Sequence, residues 1–290
     1  MKILNFGSLN IDKVYTVENI VKGGETIDSL SFAENVGGKG LNQSIAIAKA
    51  GGKVYHAGCI GKDGAILLDT LKENGVDISL IKLVDISSGQ AIIQVDKNGQ
   101  NCIILYHGAN YAVTKEYIDE VLSHFSAGDI LILQNEISHI DYIISRAKEK
   151  GMKIFLNPSP INEALQKYDI ASLNGIFVNE HEGAYLSGKD NVEEILQELS
   201  TKYPDLEIIL TFGSKGAYYH YKDTQFFVPA HKVKAVDTTA AGDTFTGYFV
   251  ALQQQGKSAE ECMQAATKAA AITVTRKGAA ASIPQTAEVY

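Results

Sequence analysis

An aspartate, Asp243, stands where a turn of small residues, Ala240-Ala241-Gly242, runs into the apolar helical pattern that begins Thr244-Phe245. Small side chains leave backbone N–H groups exposed at a helix start, where unpaired amides and the helix dipole favour an anion. An acidic side chain in such a place is electrostatically costly. A general base beside a transferable phosphate accounts for it: the carboxylate takes a hydroxyl proton while the amides hold the developing charge. The plainer alternative is an N-cap, worth about 1 kcal/mol.

Other polar groups fall at the ends of apolar runs. Asn10 and Asp12 alternate with Leu9 and Ile11 after the strand-like Ile3–Phe6, so both project from one face and suit adjacent hydroxyls of a sugar; an Asn/Asp turn is the alternative. Gly37-Gly38-Lys39-Gly40 opens a helix with a close backbone approach and a lysine, but lacks the spacing of a nucleotide P-loop. Glu136 follows the run ending at Leu133, where it is also placed to be the first charge of a helix. Asn179 and Glu182, three apart after Ile176-Phe177-Val178, offer hard oxygens suited to Mg²⁺ or, equally, an N-cap with its glutamate. The stretch from Thr211 through Gly213, Ser214 and Gly216 is a glycine loop after a strand, a weak nucleotide signal by itself.

These groups need elements to hold them. Helical patterns over 38–50, 65–74, 114–124, 138–150, 191–202 and 259–275 alternate with apolar runs at 54–60, 130–133, 154–156, 176–178 and 208–210. Strands apolar throughout and separated by helices predict an α/β fold, a doubly wound, mostly parallel central sheet flanked by helices, with ligands beyond the strands' carboxyl ends. Two segments, 11–34 and 89–106, instead alternate polar and apolar residues, with Asn98-Gly99 as a hairpin turn. They are expected to form a small β-sheet lid on a single domain spanning 1–290, its apolar side suited to a dimer contact.

The 290 residues are 45% hydrophobic, enough for a substantial core, and carry a net charge of −8, which disfavours nucleic acid or an anionic membrane as partner. Cys59, Cys102 and Cys262 are too few and too scattered for a disulfide framework or zinc site, and no run is long enough to span a membrane. With no signal-peptide pattern at Met1, a cytoplasmic location is expected.

Taken together, Gly37-Gly38-Lys39-Gly40-Leu41-Asn42-Gln43 and Asp237-Thr238-Thr239-Ala240-Ala241-Gly242-Asp243-Thr244-Phe245 resemble the two signatures of the ribokinase-like (PfkB-type) carbohydrate kinase family, and the resemblance runs the length of the chain. It implies transfer of the ATP γ-phosphoryl group to a sugar hydroxymethyl, ribose first among the candidates, with another sugar or a nucleoside as the alternative and a non-catalytic sensor as a remote one. By position, Asn10, Asp12, Gly38, Lys39, Asn42 and Glu136 hold the sugar; Asp243 is the base; Ala240, Ala241 and Gly242 form the anion hole. Asn179 and Glu182 organise Mg²⁺ and phosphate; Asn179, Thr211, Gly213, Ser214 and Gly216 line the ATP site. A monovalent cation, K⁺, falls to Asp237 and Ser282 with carbonyls of Thr239, Thr273, Arg276 and Gly278. Departures from the family are Gln90, Ile104 and His107 in the lid, the loss of the usual proline before Gly-Glu-Thr in Lys22-Gly23-Gly24-Glu25-Thr26, and an ending at Tyr290 that implies a short or missing final helix.

Overall fold

The computed structural model describes residues 1–290. The chain enters through β1 (Ile3–Phe6), leaves it for β2 (Asn10–Val17) and β3 (Ser29–Gly37), and returns through α1 (Lys39–Lys49). Then follow β4 (Val54–Ile60), α2 (Ala65–Glu73), β5 (Asp77–Leu83), β6 (Gly89–Val95) and β7 (Asn101–Tyr106). The middle of the chain alternates α3 (Lys115–Ser123), β8 (Ile130–Gln134), α4 (Ile140–Glu149), β9 (Lys153–Asn157), β10 (Gly175–Asn179), α5 (Glu180–Ser187) and α6 (Val192–Lys202). It closes with β11 (Glu207–Thr211), β12 (Gly216–Tyr221), β13 (Thr224–Pro229), α7 (Ala241–Gln254), α8 (Ala259–Thr273) and the one-turn α9 (Thr286–Val289).

Nine strands form the large sheet in the order β13-β12-β11-β10-β9-β8-β1-β4-β5, all running the same way except β12, which pairs antiparallel with both β11 and β13. Its central strands are buried on both faces, and their period of two divides the core into two layers. Ile3, Ile130, Ile132 and Ile209 face α1, α2, α7 and α8, whereas Leu4, Phe6, Leu131, Leu133 and Leu210 face α3, α4 and α6. By the same alternation Asn5 and Gln134 fall on the α1/α7 side, two fully buried polar side chains among apolar neighbours.

The two segments of alternating pattern make a separate four-stranded sheet, order β3-β2-β6-β7. β2 pairs antiparallel with β3 and parallel with β6, and the β6–β7 hairpin turns through Asp96–Gln100 with Gly99 at φ 77°. Register decides which side chains share a face. Asp12 lies level with Asn35, Ala91 and Leu105, and Val14 with Ala33, Ile93 and Ile103. Gln90 and Ile104 alternate onto the opposite face, with Ile11 and Tyr106. They therefore do not share the Asp12 side. Gln90 stands instead beside Asp63, ahead of α2.

α7 lies tight against α1. A methyl group on Gly247 would stand 2.4 Å from Ala46 Cβ and 2.9 Å from the Gln43 carbonyl oxygen, so only glycine permits this approach. One turn earlier, on the same face of α7, is Asp243. Gly247→Ala should therefore push the helices apart and destabilise the fold by about 1–3 kcal/mol, since overpacking outweighs the gain in helix propensity. Urea unfolding measures it; unchanged stability would show that the contact has slack.

Candidate active site

Asp243 is the third residue of α7 and caps nothing; the cap position is Ala240, held left-handed at φ 60°. Only 8% of Asp243 is exposed, and its carboxylate is gripped by two amides of α1. Asn42 Nδ2 donates to Oδ2 at 3.1 Å and Gln43 Nε2 to Oδ1 at 2.9 Å. Neutral donors orient a carboxylate without adding a charge, and each oxygen keeps lone-pair capacity for a further proton donor.

Before it, the turn presents amides to the cleft. Ala241 N reaches Thr238 O at 3.3 Å, while the N–H groups of Ala240, Gly242 and Asp243 donate to no protein atom. Left-handed backbone at a non-glycine residue is strained, and here the strain turns these amides outward at the positive end of α7. The cleft there holds about 210 Å³ and is lined also by Lys39, Asn157, Ser159, Glu182 and Thr246. Burial alone would lower the pKa of the Lys39 ammonium. The carboxylates of Asp243, Glu136 and Glu182 outweigh burial and raise it above the usual lysine value. Lys39 thus lines this cleft as a cation.

A second cleft of about 550 Å³ adjoins the first and shares Asn179, Thr211, Thr238, Ala241 and Gly242 with it. Gly213, Ser214 and Gly216 line one wall, and Val233, Phe245, Ala270 and Val274 another, so this cleft is largely apolar. Asn179 and Glu182 form a capping box at the start of α5: Asn179 N donates to Glu182 Oε2 at 3.0 Å and Glu182 N to Asn179 Oδ1 at 2.9 Å. The plain reading of that pair is therefore realised in the backbone, and both residues still border the first cleft.

The small sheet and β1 bring up the other polar groups. Gly38, at φ 93°, turns the chain into α1 so closely that a Cβ would meet Ser8 O at 2.9 Å. Glu136 Oε2 accepts from Lys39 N at 3.2 Å and from Ser8 Oγ. Asn110 Nδ2 donates to Asn10 Oδ1 at 2.7 Å. Asn42 Oδ1 is buried without a partner. His107 stacks on Tyr111 with ring centroids 3.9 Å apart, close enough to Glu136 for its charge to act on both rings.

Further along, the loops around Asp237 and Gly278 lie together. Asp237 Oδ1 accepts from Thr239 N and Oγ1 at 2.9 and 2.7 Å, and Oδ2 from Gly278 N at 3.0 Å. Burial works to raise this carboxyl, but those hydrogen bonds prevail and hold it below the usual carboxylate range. The carbonyls of Thr239, Arg276 and Gly278 accept no hydrogen bond, whereas Thr273 O takes Arg276 N at 3.1 Å and Ser282 Oγ donates to Ala279 O at 2.7 Å.

Sequence reasoning passed over Ser8, Asn110, Asn157, Ser159 and Thr246. None carries a local signal beyond that of a polar residue near a strand end or in a helix, and it is the fold that delivers them here. Gln43 stands inside the glycine-rich motif, yet its contact with Asp243 joins residues 200 positions apart.

Unpaired backbone amides with a buried carboxylate beside them, where a polar and an apolar cleft meet, suit the transfer of a phosphoryl group. Residues 1–286 match the model of the pfkB family carbohydrate kinases, and the chain belongs to that family. Among particular relatives, it is 37% identical to the ribokinase of Schizosaccharomyces pombe, over all of this chain and 96% of that one. It is 32% identical to the deoxyribokinase of Salmonella typhi, over 98% of this chain and 96% of that one. The solved structure of Arabidopsis thaliana ribokinase complexed with ribose and ATP superposes with a TM-score of 0.87 at 29% identity, covering 99% of this chain and 96% of that one.

Asp12 supplies a test independent of substrate. Its burial, and secondarily the Glu136 charge, lift its carboxyl from 3.8 to about 6. A raised carboxyl favours the folded state fully below pH 3.8, and that contribution is lost as pH climbs through 6. Asp12→Asn, which cannot ionise, should gain roughly 1–3 kcal/mol over the native protein on going from about pH 4 to pH 7.5. Thermal unfolding at both pH values measures the difference; a pH-independent difference would refute it.

Proposed function

We propose that this protein is an ATP-dependent ribose kinase acting as a single domain, with the small sheet as its lid and ribose 5-phosphate as its product. The observation that carries the reading is the Asp243 carboxylate, oriented by two amides beside unpaired backbone N–H groups where the two clefts meet. The sugar lies between Asn10, Asp12, Gly38, Lys39, Asn42 and Glu136, with the unpartnered Asn42 Oδ1 ready for a hydroxyl proton. The adenine end of ATP fills the apolar cleft, and Thr211, Gly213, Ser214 and Gly216 follow its ribose and phosphates.

The transfer asks little covalent work of the protein. Asp243 takes the proton of the sugar hydroxymethyl as its oxygen attacks the γ-phosphorus, and the bond to the ADP oxygen breaks. The amides of Ala240, Ala241 and Gly242 and the Lys39 ammonium hold the charge that spreads over the phosphoryl oxygens. Asn179 and Glu182 fit a Mg²⁺ that keeps most of its ligands as water and phosphate, because Glu182 retains one carboxylate oxygen outside the capping box. Bound Mg²⁺ would neutralise phosphate charge. Three carbonyls without hydrogen bonds, from Thr239, Arg276 and Gly278, beside the Asp237 carboxylate and the Ser282 and Thr273 oxygens, fit K⁺, which would settle the loop that shapes the anion hole.

The small sheet also presents exposed apolar side chains: Phe32 and Ile104 on one face, Ile103 and Leu105 on the other. Edge strands with such surfaces invite pairing, and a second copy of this chain meets the requirement. Sedimentation should read a dimer for the native protein and a monomer for Ile103→Asp; a native monomer would remove this contact.

ADP release with ATP·Mg²⁺ over a panel of ribose, deoxyribose, fructose, tagatose, adenosine and 2-keto-3-deoxygluconate tests the substrate, run in K⁺ and in Na⁺. Ribose should be preferred and K⁺ should stimulate. Asp243→Asn should lower kcat by roughly 10²-fold or more with sugar binding nearly intact, as loss of a general base does. Preference for another sugar would reassign the substrate, and full activity of Asp243→Asn would remove the base.

A further inference from the structure

We propose that Gln43 is a positioning residue for Asp243, and that Gln134 and Asn5, which touch neither Asp243 nor the clefts, fix the direction in which its amide points. This deepens the kinase reading and rests on it for the role of Asp243.

Four buried side chains form one hydrogen-bonded chain from the large sheet to the base. Asn5 Nδ2 donates to Gly40 O at 2.8 Å and to Ser44 Oγ at 2.9 Å. Gln134 Nε2 donates to Asn5 Oδ1 at 2.8 Å and to Gln43 Oε1 at 2.7 Å, and Gln43 Nε2 donates to Asp243 Oδ1 at 2.9 Å. Asn5 and Gln43 are fully buried and Gln134 almost so.

The direction of these bonds follows from the two ends. A backbone carbonyl only accepts, so Asn5 must turn its NH₂ to Gly40 and its oxygen to Gln134. An ionised carboxylate also only accepts, so Gln43 must turn its NH₂ to Asp243 and its oxygen to Gln134. A chain of amides between two acceptors needs one member that donates both ways, and Gln134 occupies that place. Its own oxygen is then left over, and Gln134 Oε1 is indeed buried with no partner. Such an orphan costs about 1–3 kcal/mol. It has a cause here: reversing Gln134 would set its oxygen against the oxygens of Asn5 and Gln43 and release Gln43 to turn its own oxygen on the base.

What this does to the base is geometric. Asp243 sits where free amides and Lys39 would draw its carboxylate toward the anion hole and away from the sugar hydroxyl. The donors from Asn42 and Gln43 oppose that pull, and Gln43 is itself fixed from β1 and β8. Gln43→Met keeps the volume and removes the donor. It should lower kcat by about ten- to a hundredfold, as misplacement by a fraction of an ångström does, with KM for sugar and ATP within about twofold.

A double-mutant cycle separates positioning from general damage. In an Asp243→Ala background Gln43→Met should cost nothing further, because there is no base left to place; an equal loss in both backgrounds would overturn the proposal. Gln134→Met, which leaves the direct contact to Asp243 in place, should show the same pattern with a smaller loss and serves should Gln43→Met fold poorly. Crystals of either variant give a readout without turnover. The Asp243 carboxylate should leave its present position while the α7 backbone stays, and an unmoved carboxylate would sink the idea. Absence of turnover in the native protein would count against the kinase reading alone, with the crystallographic readout still deciding the positioning.

Discussion

The contact between α1 and α7 governs this site. Asp243 is an acid at the positive end of a helix, next to amides that serve an anion, and it is almost wholly out of water. A carboxylate desolvated to that degree needs hydrogen-bond donors on both oxygens, and α1 provides them from two consecutive residues, Asn42 and Gln43. Lys39, one turn before, contributes the only cation lining the polar cleft. All of this depends on two helices lying close enough for short amides to reach across, which Gly247 and Ala46 permit.

The large sheet holds that pair of helices in place and supplies the nucleotide side. Parallel strands end together, so the loops after β1, β8, β9, β10 and β11 converge with the N-termini of α1, α5 and α7. The polar groups proposed for the sugar come from β2, the start of α1 and the loop after β8, and the apolar cleft comes from β11, β12, α7 and α8. The two clefts are thus built largely from separate parts of the chain, which meet at Thr238, Ala241 and Gly242. Strain at Ala240 belongs to that meeting point: a relaxed helix start would direct its amides along the axis, whereas the left-handed residue opens the turn toward the cleft.

Buried polar groups on the α1/α7 face of the sheet show how much of the site lies behind the surface that substrates touch. Asn5, Gln43, Ser44, His56 and Gln134 would each destabilise a core alone. Joined together they satisfy one another, apart from the oxygen of Gln134 and the Nε2 of His56. Burial drives the His56 imidazolium down to about 3, so this histidine is neutral and adds no charge to the buried network.

Much was determined by sequence alone, and for a local reason. Period-two and apolar runs made the sheet legible, helical periodicity made α1, α3, α4, α6 and α8 legible to within a few residues, and Asp243 stood out because its charge conflicts with its immediate neighbours. The β12–β13 hairpin escaped because its turn runs through Lys222, left-handed at φ 52°, without the glycine or asparagine that announces such turns. Tertiary structure alone decided what depends on pairing between distant segments. Strand register put Gln90 and Ile104 on the face away from Asp12, since a side chain's face is set relative to its partner strand and not by its own strand. Packing chose Asn42 and Gln43 as the partners of Asp243, and hydrogen-bond direction, propagated from one backbone carbonyl, chose how their amides face. Periodicity says which residues are inside; only the folded chain says which of them meet.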